Sequence, residues 1–243
     1  MRPPPLGNRR RRDELMDDPA LDAARHHEAL EGLARLHRAS FTARRIWSRL
    51  APLARTQDTP LRVLDVACGG GELLVDLAQR ARRAGLELEA WGCDRSDVAL
   101  QHAENAAQRA GLSAHFLQAD VLHELPLHTP DGAPYHVMLN SLFLHHISET
   151  EAFHLLTRLR EHATRAVLVH DLLRSRAGWR WAWLGSRCLT RSPVVRHDAL
   201  ASVESAFSYS ELGFLFGRAG MHRNQTRVWT PWPARLLALW QRP

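Results

Sequence analysis

The sequence predicts an α/β fold: a seven-stranded, mostly parallel sheet with helices on both faces, an antiparallel last strand and an N-terminal helical cap. Three observations predict it. Short apolar strands alternate with amphipathic helices from Leu61 to Asp171. The first strand runs into a glycine-rich turn that opens a helix. The tail splits into two strands around Pro-Trp-Pro, residues 231–233. Alternation of this kind needs right-handed crossovers, and so a parallel sheet covered on both faces. A chain of 243 residues is long enough for one domain with a sizeable core.

Each element follows from its pattern. Residues 1–16, with four consecutive arginines from Arg9 to Arg12, read as a disordered basic tail. In 17–56 the apolar residues Leu21, Ala24, Ala29, Leu33, Leu36, Phe41 and Ile46 recur near helical spacing, which predicts two helices as the cap. Gln57 to Pro60 is a linker into the main domain, 57–243. There LRVLDVA is an apolar strand, GELLVDLAQRARRAG a helix stopped by glycine, and LELEAWGCD a second strand. Ser96 caps the next helix, which Gly111 ends. AHFLQAD is the third strand and YHVMLNSLFLHH the fourth. Ser148 and Glu151 have capping-box spacing ahead of a helix to about Ala163. RAVLVHD is the fifth strand. Residues 172–207 form a long irregular insert, expected to act as a lid. Ser208 and Glu211 repeat the capping box, and the tail forms an antiparallel pair.

Composition excludes some chemistry. All 32 basic residues are arginine, so neither a lysine Schiff base nor a Walker A lysine is available. A net charge of +6 raises nucleic acid as a partner, but the arginines outside the tail alternate with acids, which makes that partner unexpected. Cys68, Cys93 and Cys188 are odd in number and widely spaced, which predicts reduced thiols and a cytoplasmic setting. No apolar run approaches the ~20 residues of a transmembrane segment.

The sharpest motif is VLDVACGGGE, Val63 to Glu72. Glycine in a strand-to-helix turn lets the backbone approach a ligand and adopt positive φ. The dinucleotide fingerprint G-x-G-x-x-G is not met, because Leu74 stands where its third glycine would be. Asp94 ends the second strand 23 residues after Gly71, where an acid beyond a nucleotide loop can accept ribose hydroxyls.

The run D-x-A-x-G-x-G, Asp65 to Gly71, resembles motif I of class I S-adenosylmethionine-dependent methyltransferases, of the quinone-biosynthesis and small-molecule O-methyltransferase type. Ala67 replaces the commonest glycine. The resemblance spans about Leu61 to Arg242 and implies a Rossmann-like fold. It implies that S-adenosyl-L-methionine, and its product S-adenosyl-L-homocysteine, bind at Asp65, Ala67, Cys68, Gly69 and Gly71. Asp94, beside Arg95, would hold the ribose. Asp120 would accept from the adenine amino group, next to the Val121 amide. Asn140 and Ser141 would face the cofactor from the fourth strand. LMDDPAL near the start, together with RHDALASVESAF (196–207), resembles uncharacterised methyltransferases encoded beside phenolic polyketide and flavin-monooxygenase genes.

These readings imply a SAM-dependent methyltransferase with a small aromatic or apolar acceptor, phenolic or quinol-like, methylated on oxygen in preference to carbon. His145 and His146 are the candidate general bases, near the pH where imidazole titrates. Adjacent strand residues face opposite ways, so one of the two can serve, and His146 is preferred. Trp179 and Trp183, at i and i+4, are expected to line a chamber closed by the N-terminal helices and the insert. No metal is expected, because Asn140 and His170-Asp171 stand where metal-dependent catechol methyltransferases carry an Asp and an Asp-Asn pair. A nucleic-acid methyltransferase is an alternative, opposed by the absence of an N-P-P-F motif and of a strand-four cysteine nucleophile. A non-catalytic binding module is a second alternative, opposed by the intact motif acids.

Overall fold

The computed structural model describes residues 3–17, 20–22, 25, 28, 29, 32, 35 and 41–243. Seven strands form one sheet: β1 (Leu61–Val66), β2 (Leu88–Asp94), β3 (Ala114–Gln118), β4 (Val137–Ser141), β5 (Ala166–Leu172), β6 (Thr226–Trp229) and β7 (Arg235–Gln241). Their order is β3-β2-β1-β4-β5-β7-β6. β1 to β5 pair in parallel, and β7 runs antiparallel to both β5 and β6. The expected fold class is the one found.

Helices cover both faces: α1 (Thr42–Arg55), α2 (Glu72–Arg83), α3 (Asp97–Arg109), α4 (Glu149–His162), α5 (Arg176–Leu189), α6 (Pro193–Ser205) and α7 (Tyr209–Arg218). Strand residues alternate between two cores. Leu64, Val66 and Met138 pack with Leu155, Leu212 and Phe216 on one face. Val63, Val137 and Leu139 pack with Ile46, Leu50 and Leu77 on the other. Side-chain caps fix the helix starts. Ser96 accepts from the Ala99 amide, and Ser148 and Ser208 each form a full capping box.

The region before β1 differs from expectation. Ile46, Leu50 and Leu53 bury α1 in the second core, so α1 covers a sheet face rather than the ligand edge. Phe41 is exposed and left-handed (φ 54°) at its start, which breaks the helical run inferred across it. Ala24, Leu33 and Leu36, counted in that run, lie outside the described residues. Ala29 packs on Val194 and Val195 of α6 instead. The insert is ordered into α5 and α6, with Ser175 capping the first through the Gly178 amide.

Residues 3–17 were expected to be a solvated tail, and they are a strap laid against α6. Arg9 Nε donates to the Ser205 carbonyl at 2.5 Å, and Arg12 pairs with Glu204 at 3.2 Å. The Leu15 and Met16 amides donate to Asp198 at 2.8 and 3.1 Å. Arg174 reaches back to the Leu6 and Gly7 carbonyls. The arginine run therefore finds fixed carbonyl and carboxylate partners, which a pattern of charge alone does not reveal.

Candidate active site

Strand order reverses between β1 and β4, and in open α/β sheets the carboxyl ends of the strands at such a point are where ligands bind. Asn140 locks this point. It is fully buried, and its Nδ2 donates to the Val66 carbonyl at 2.9 Å. Its Oδ1 has no partner among the described residues.

The loop after β1 carries left-handed φ at Ala67 (59°), Gly69 (53°) and Gly71 (72°). Alanine at the first position costs on the order of 1–2 kcal/mol, which is the physical reason glycine is commoner there. Gly71 is required for packing as well, because a Cβ there would sit 2.6 Å from Ala103 Cβ on α3. A Cβ on Gly69 would meet nothing within 4 Å, so the loop surface at that point is open to a ligand.

Asp94 organises the loop. Its Oδ2 accepts from the Gly69 amide at 2.8 Å and its Oδ1 from the Ser96 amide at 3.0 Å. Both carboxylate oxygens keep lone pairs for further donors. Arg95 beside it is exposed, and its carbonyl accepts from Gln118. Asp120 is exposed beyond β3 and accepts from the Leu122 amide, while Val121 is buried beneath it. Asp65 lies under the loop with its Oδ1 unpartnered. Burial, with the nearby Asp94 charge second, pushes its pKa up to about 8. A buried acceptor of this kind fits a cationic donor such as the ammonium of a methionine moiety. Burial also raises the Cys68 thiol above its ordinary value and pushes Cys93 up to about 12, so neither is a thiolate nucleophile. All three cysteines are free.

The other half of the crevice is built from side chains. β4 ends at Ser141, whose hydroxyl meets His170 Nδ1 at 3.1 Å. Leu142 is left-handed (φ 58°), and Leu144–His146 form a 3-10 turn. Strand alternation therefore does not separate the two histidines, whose ring centroids lie 4.2 Å apart. His145, rather than the preferred His146, meets an orienting carboxylate: its Nδ1 bonds Asp171 Oδ1 at 2.7 Å. Burial works to raise the Asp171 pKa, but the charge and hydrogen bond of His145 outweigh it and hold the pKa below its ordinary value.

The tryptophans divide. Trp179 is buried and donates to Glu204 on α6 at 3.1 Å. Trp183 lies under Arg187, and Trp181 stacks edge-on against Trp232. Sequence reasoning missed Glu14 and Arg9, for which the tail carried no signal. Glu14 Oε1 lies 3.7 Å from His145 Nε2, and Arg9 Nη2 binds the carbonyls of Leu144, His145 and Ile147. The two segments LMDDPAL and RHDALASVESAF prove to be neighbours, joined through Asp198.

Residues 63–165 match the methyltransferase domain family. Over that stretch, about two fifths of its length, the chain is similar to a methyltransferase domain. Over 94 residues it is 39% identical to the demethylmenaquinone methyltransferase of Thermus thermophilus, covering 39% of this chain and 40% of that protein. The match thus spans about two fifths of that relative's length. The methyltransferase domain's fold is shared more widely. A plantazolicin methyltransferase in complex with SAH aligns at TM-score 0.65 and 16% identity, over 93% of this chain and 91% of that one. Magnesium protoporphyrin IX methyltransferase from Synechocystis PCC 6803, with bound SAH, aligns at TM-score 0.58 and 17% identity, over 93% and 90%.

Proposed function

We propose that this methyltransferase transfers a methyl group from S-adenosylmethionine to the oxygen of a small phenolic or quinol-like acceptor. The observation that carries the reading is the His145–Asp171 pair, set beside the cofactor crevice at the carboxyl ends of β4 and β5. Asp65, Gly69 and Asp94 would hold the methionine and ribose parts of the cofactor, with Asp120 and Val121 at the base. When bound, the cofactor's sulfonium supplies an already activated methyl group. The chain's own work is alignment and exclusion of water, worth on the order of 7–11 kcal/mol in favourable models. Asp171 fixes the ring of His145, and the histidine pair polarises the acceptor hydroxyl. The demethylmenaquinone methyltransferase likeness is compatible with a quinol-like acceptor.

The arginine run does not favour a nucleic-acid acceptor, because Arg9 and Arg12 are committed to carbonyls and to Glu204. No helix among the described residues is long and apolar enough to cross a membrane. The test is a panel of phenols and quinols with methyl-labelled cofactor. His145→Ala is expected to lower turnover by about 10²–10⁴-fold, the usual contribution of a positioned acid–base group. Unchanged turnover in that variant, or a product methylated on carbon, overturns the O-methylation reading.

A further inference from the structure

A group of ligating side chains lies where the strap crosses the ends of β4 and β5. Glu14, His145 and His146 each offer one ligand atom, and these atoms all lie within 4.8 Å of one another. Glu14 Oε1 and His145 Nε2 are 3.7 Å apart. That is too long for a hydrogen bond. It is close to the edge of a tetrahedron built on metal–ligand bonds of about 2.0–2.2 Å, which is about 3.3–3.6 Å.

The surroundings are those of a ligating histidine. His145 Nδ1 faces Asp171 Oδ1 at 2.7 Å, and Asp171 is itself fixed by the Leu172 amide at 2.6 Å. A carboxylate behind the ring places the proton on Nδ1 and leaves the lone pair on Nε2 to face a ligand. The Nε2 atom then points at Glu14. Side-chain exposure is 5% for His145 and 13% for Glu14, so both are largely withdrawn from water. Glu14 is held from both sides: Arg12 is anchored on Glu204, the Leu15 and Met16 amides on Asp198, and the Ser202 hydroxyl contacts Glu14 itself. Two carboxylates, the buried Asp171 and the partly buried Glu14, offset a divalent charge more fully than the nearby Arg9 opposes it.

We propose that Glu14, His145 and His146 bind one divalent transition-metal ion, with Asp171 orienting His145 from behind. Two imidazole nitrogens and one carboxylate oxygen suit Zn²⁺ or Co²⁺ better than Mg²⁺, which prefers oxygen donors. Three protein ligands leave a further position open. That position would take the acceptor's hydroxyl oxygen and favour its ionised form, so that with the ion bound the two histidines would act on the acceptor through it rather than as free bases, a role that rests on the acceptor reading above. The site differs from the arrangement sought in the sequence, which looked for acids at the strand ends. Here the carboxylate comes from the strap, at the other end of the chain.

Binding can be tested without any acceptor. The full chain, stripped with EDTA and dialysed, is titrated with Co²⁺ while its visible absorption is followed. One equivalent of Co²⁺, with d–d bands of a low-coordinate site and displacement by Zn²⁺, is expected. Glu14→Ala and His146→Ala should abolish the bands, and Asp171→Asn should weaken binding by about 10–100-fold. Cys188→Ser should leave the bands intact, which sets aside the exposed thiol. Each variant is checked for folding by its S-adenosylhomocysteine affinity, measured by calorimetry and expected to be unchanged. No stoichiometric uptake by the wild-type chain, or uptake that survives Glu14→Ala, overturns the proposal. Metal binding without S-adenosylhomocysteine binding would sustain the site and sink the methyl-transfer reading instead.

Discussion

The two halves of the crevice are built by different means. Over β1 and β2 the proposed cofactor surface is mostly main chain: a loop of left-handed residues, pinned through the Gly69 amide by Asp94. Over β4 and β5 the proposed acceptor surface is made of charged and polar side chains from four distant segments: the strap, the 3-10 turn, the end of β5, and α6. A main-chain surface tolerates side-chain change but not a change of backbone geometry. A side-chain surface depends on each ionic partner and can be remodelled one residue at a time. The first suits a cofactor of fixed shape, and the second suits an acceptor that differs between enzymes.

The comparison is tested most severely at Arg174, the residue that ties the second half together. Its guanidinium grips Glu211 through two contacts of 2.7 and 2.8 Å and also serves the carbonyls of Leu6, Gly7 and Ala206. Arg174→Ala removes one partner of a buried pair and is expected to cost about 3–5 kcal/mol, towards the lower end because Glu211 keeps partial access to water. Urea unfolding measures it. The Arg174 hydrogen bond holds the Glu211 pKa down to about 2, despite partial burial. A depressed carboxylate stabilises the fold above its unfolded pKa, and the gain is lost as pH falls from about 4.3 towards 2. Arg174→Ala should flatten that acid limb.

On the cofactor side, Asp94→Ala should weaken S-adenosylhomocysteine binding by about 1.5–3 kcal/mol, the worth of hydrogen bonds to a charged acceptor. Equal affinity by calorimetry would mean that Asp94 only pins the loop. Asp65 offers a sharper reading. Its pKa of about 8 means it is mostly protonated at pH 7 in the free protein. An incoming ammonium would ionise it, so binding at pH 7 should release close to one proton, visible as a heat that varies with the buffer. The sign for stability is opposite to that of Glu211. The raised pKa makes the ligand-free fold most favourable below about pH 3.9, and that advantage is lost as pH rises through 8. Asp65→Asn should therefore raise the thermal midpoint of the ligand-free protein above pH 8 while lowering its affinity. A binding heat independent of buffer would remove Asp65 from the ammonium site.

The same division explains what the sequence disclosed. The cofactor half is local: a strand, five loop residues and a helix lie within Leu61 to Arg83, and the strand periodicity that places them is readable from one stretch of chain. The positions of Asp94 and Asp120 could be read because Asp94 closes β2 and Asp120 follows β3 by two residues. The second half is assembled from residues far apart in the chain, and nothing in RRRRDELMDD marks Glu14 as facing a histidine 131 positions away. The strand inferred through His145 and His146 stops short of them for a local reason. The apolar run through Leu144 reads as strand, but the chain turns at the left-handed Leu142 and breaks the alternation.

The smallest expected effect tests whether the strap belongs to the acceptor half alone. Asp198 accepts the Leu15 and Met16 amides on its two oxygens, and His197 Nδ1 lies 2.9 Å from Oδ1. Asp198→Asn keeps the shape but exchanges one acceptor oxygen for a donor, so one of the two amides loses its partner. A lost bond to a charged acceptor is worth about 1.5–3 kcal/mol, and because the strap also holds through Arg9 and Arg12, about 1–2 kcal/mol should appear in local rather than global stability. Amide exchange should accelerate within residues 3–17 and remain slow in β1 and α2. S-adenosylhomocysteine affinity should stay at the wild-type value, since no contact of the strap reaches the glycine loop or Asp94 among those described. A matching fall in cofactor affinity would show that the halves are coupled through Asn140, where β1 and β4 are joined, and the division drawn here would fail at that residue.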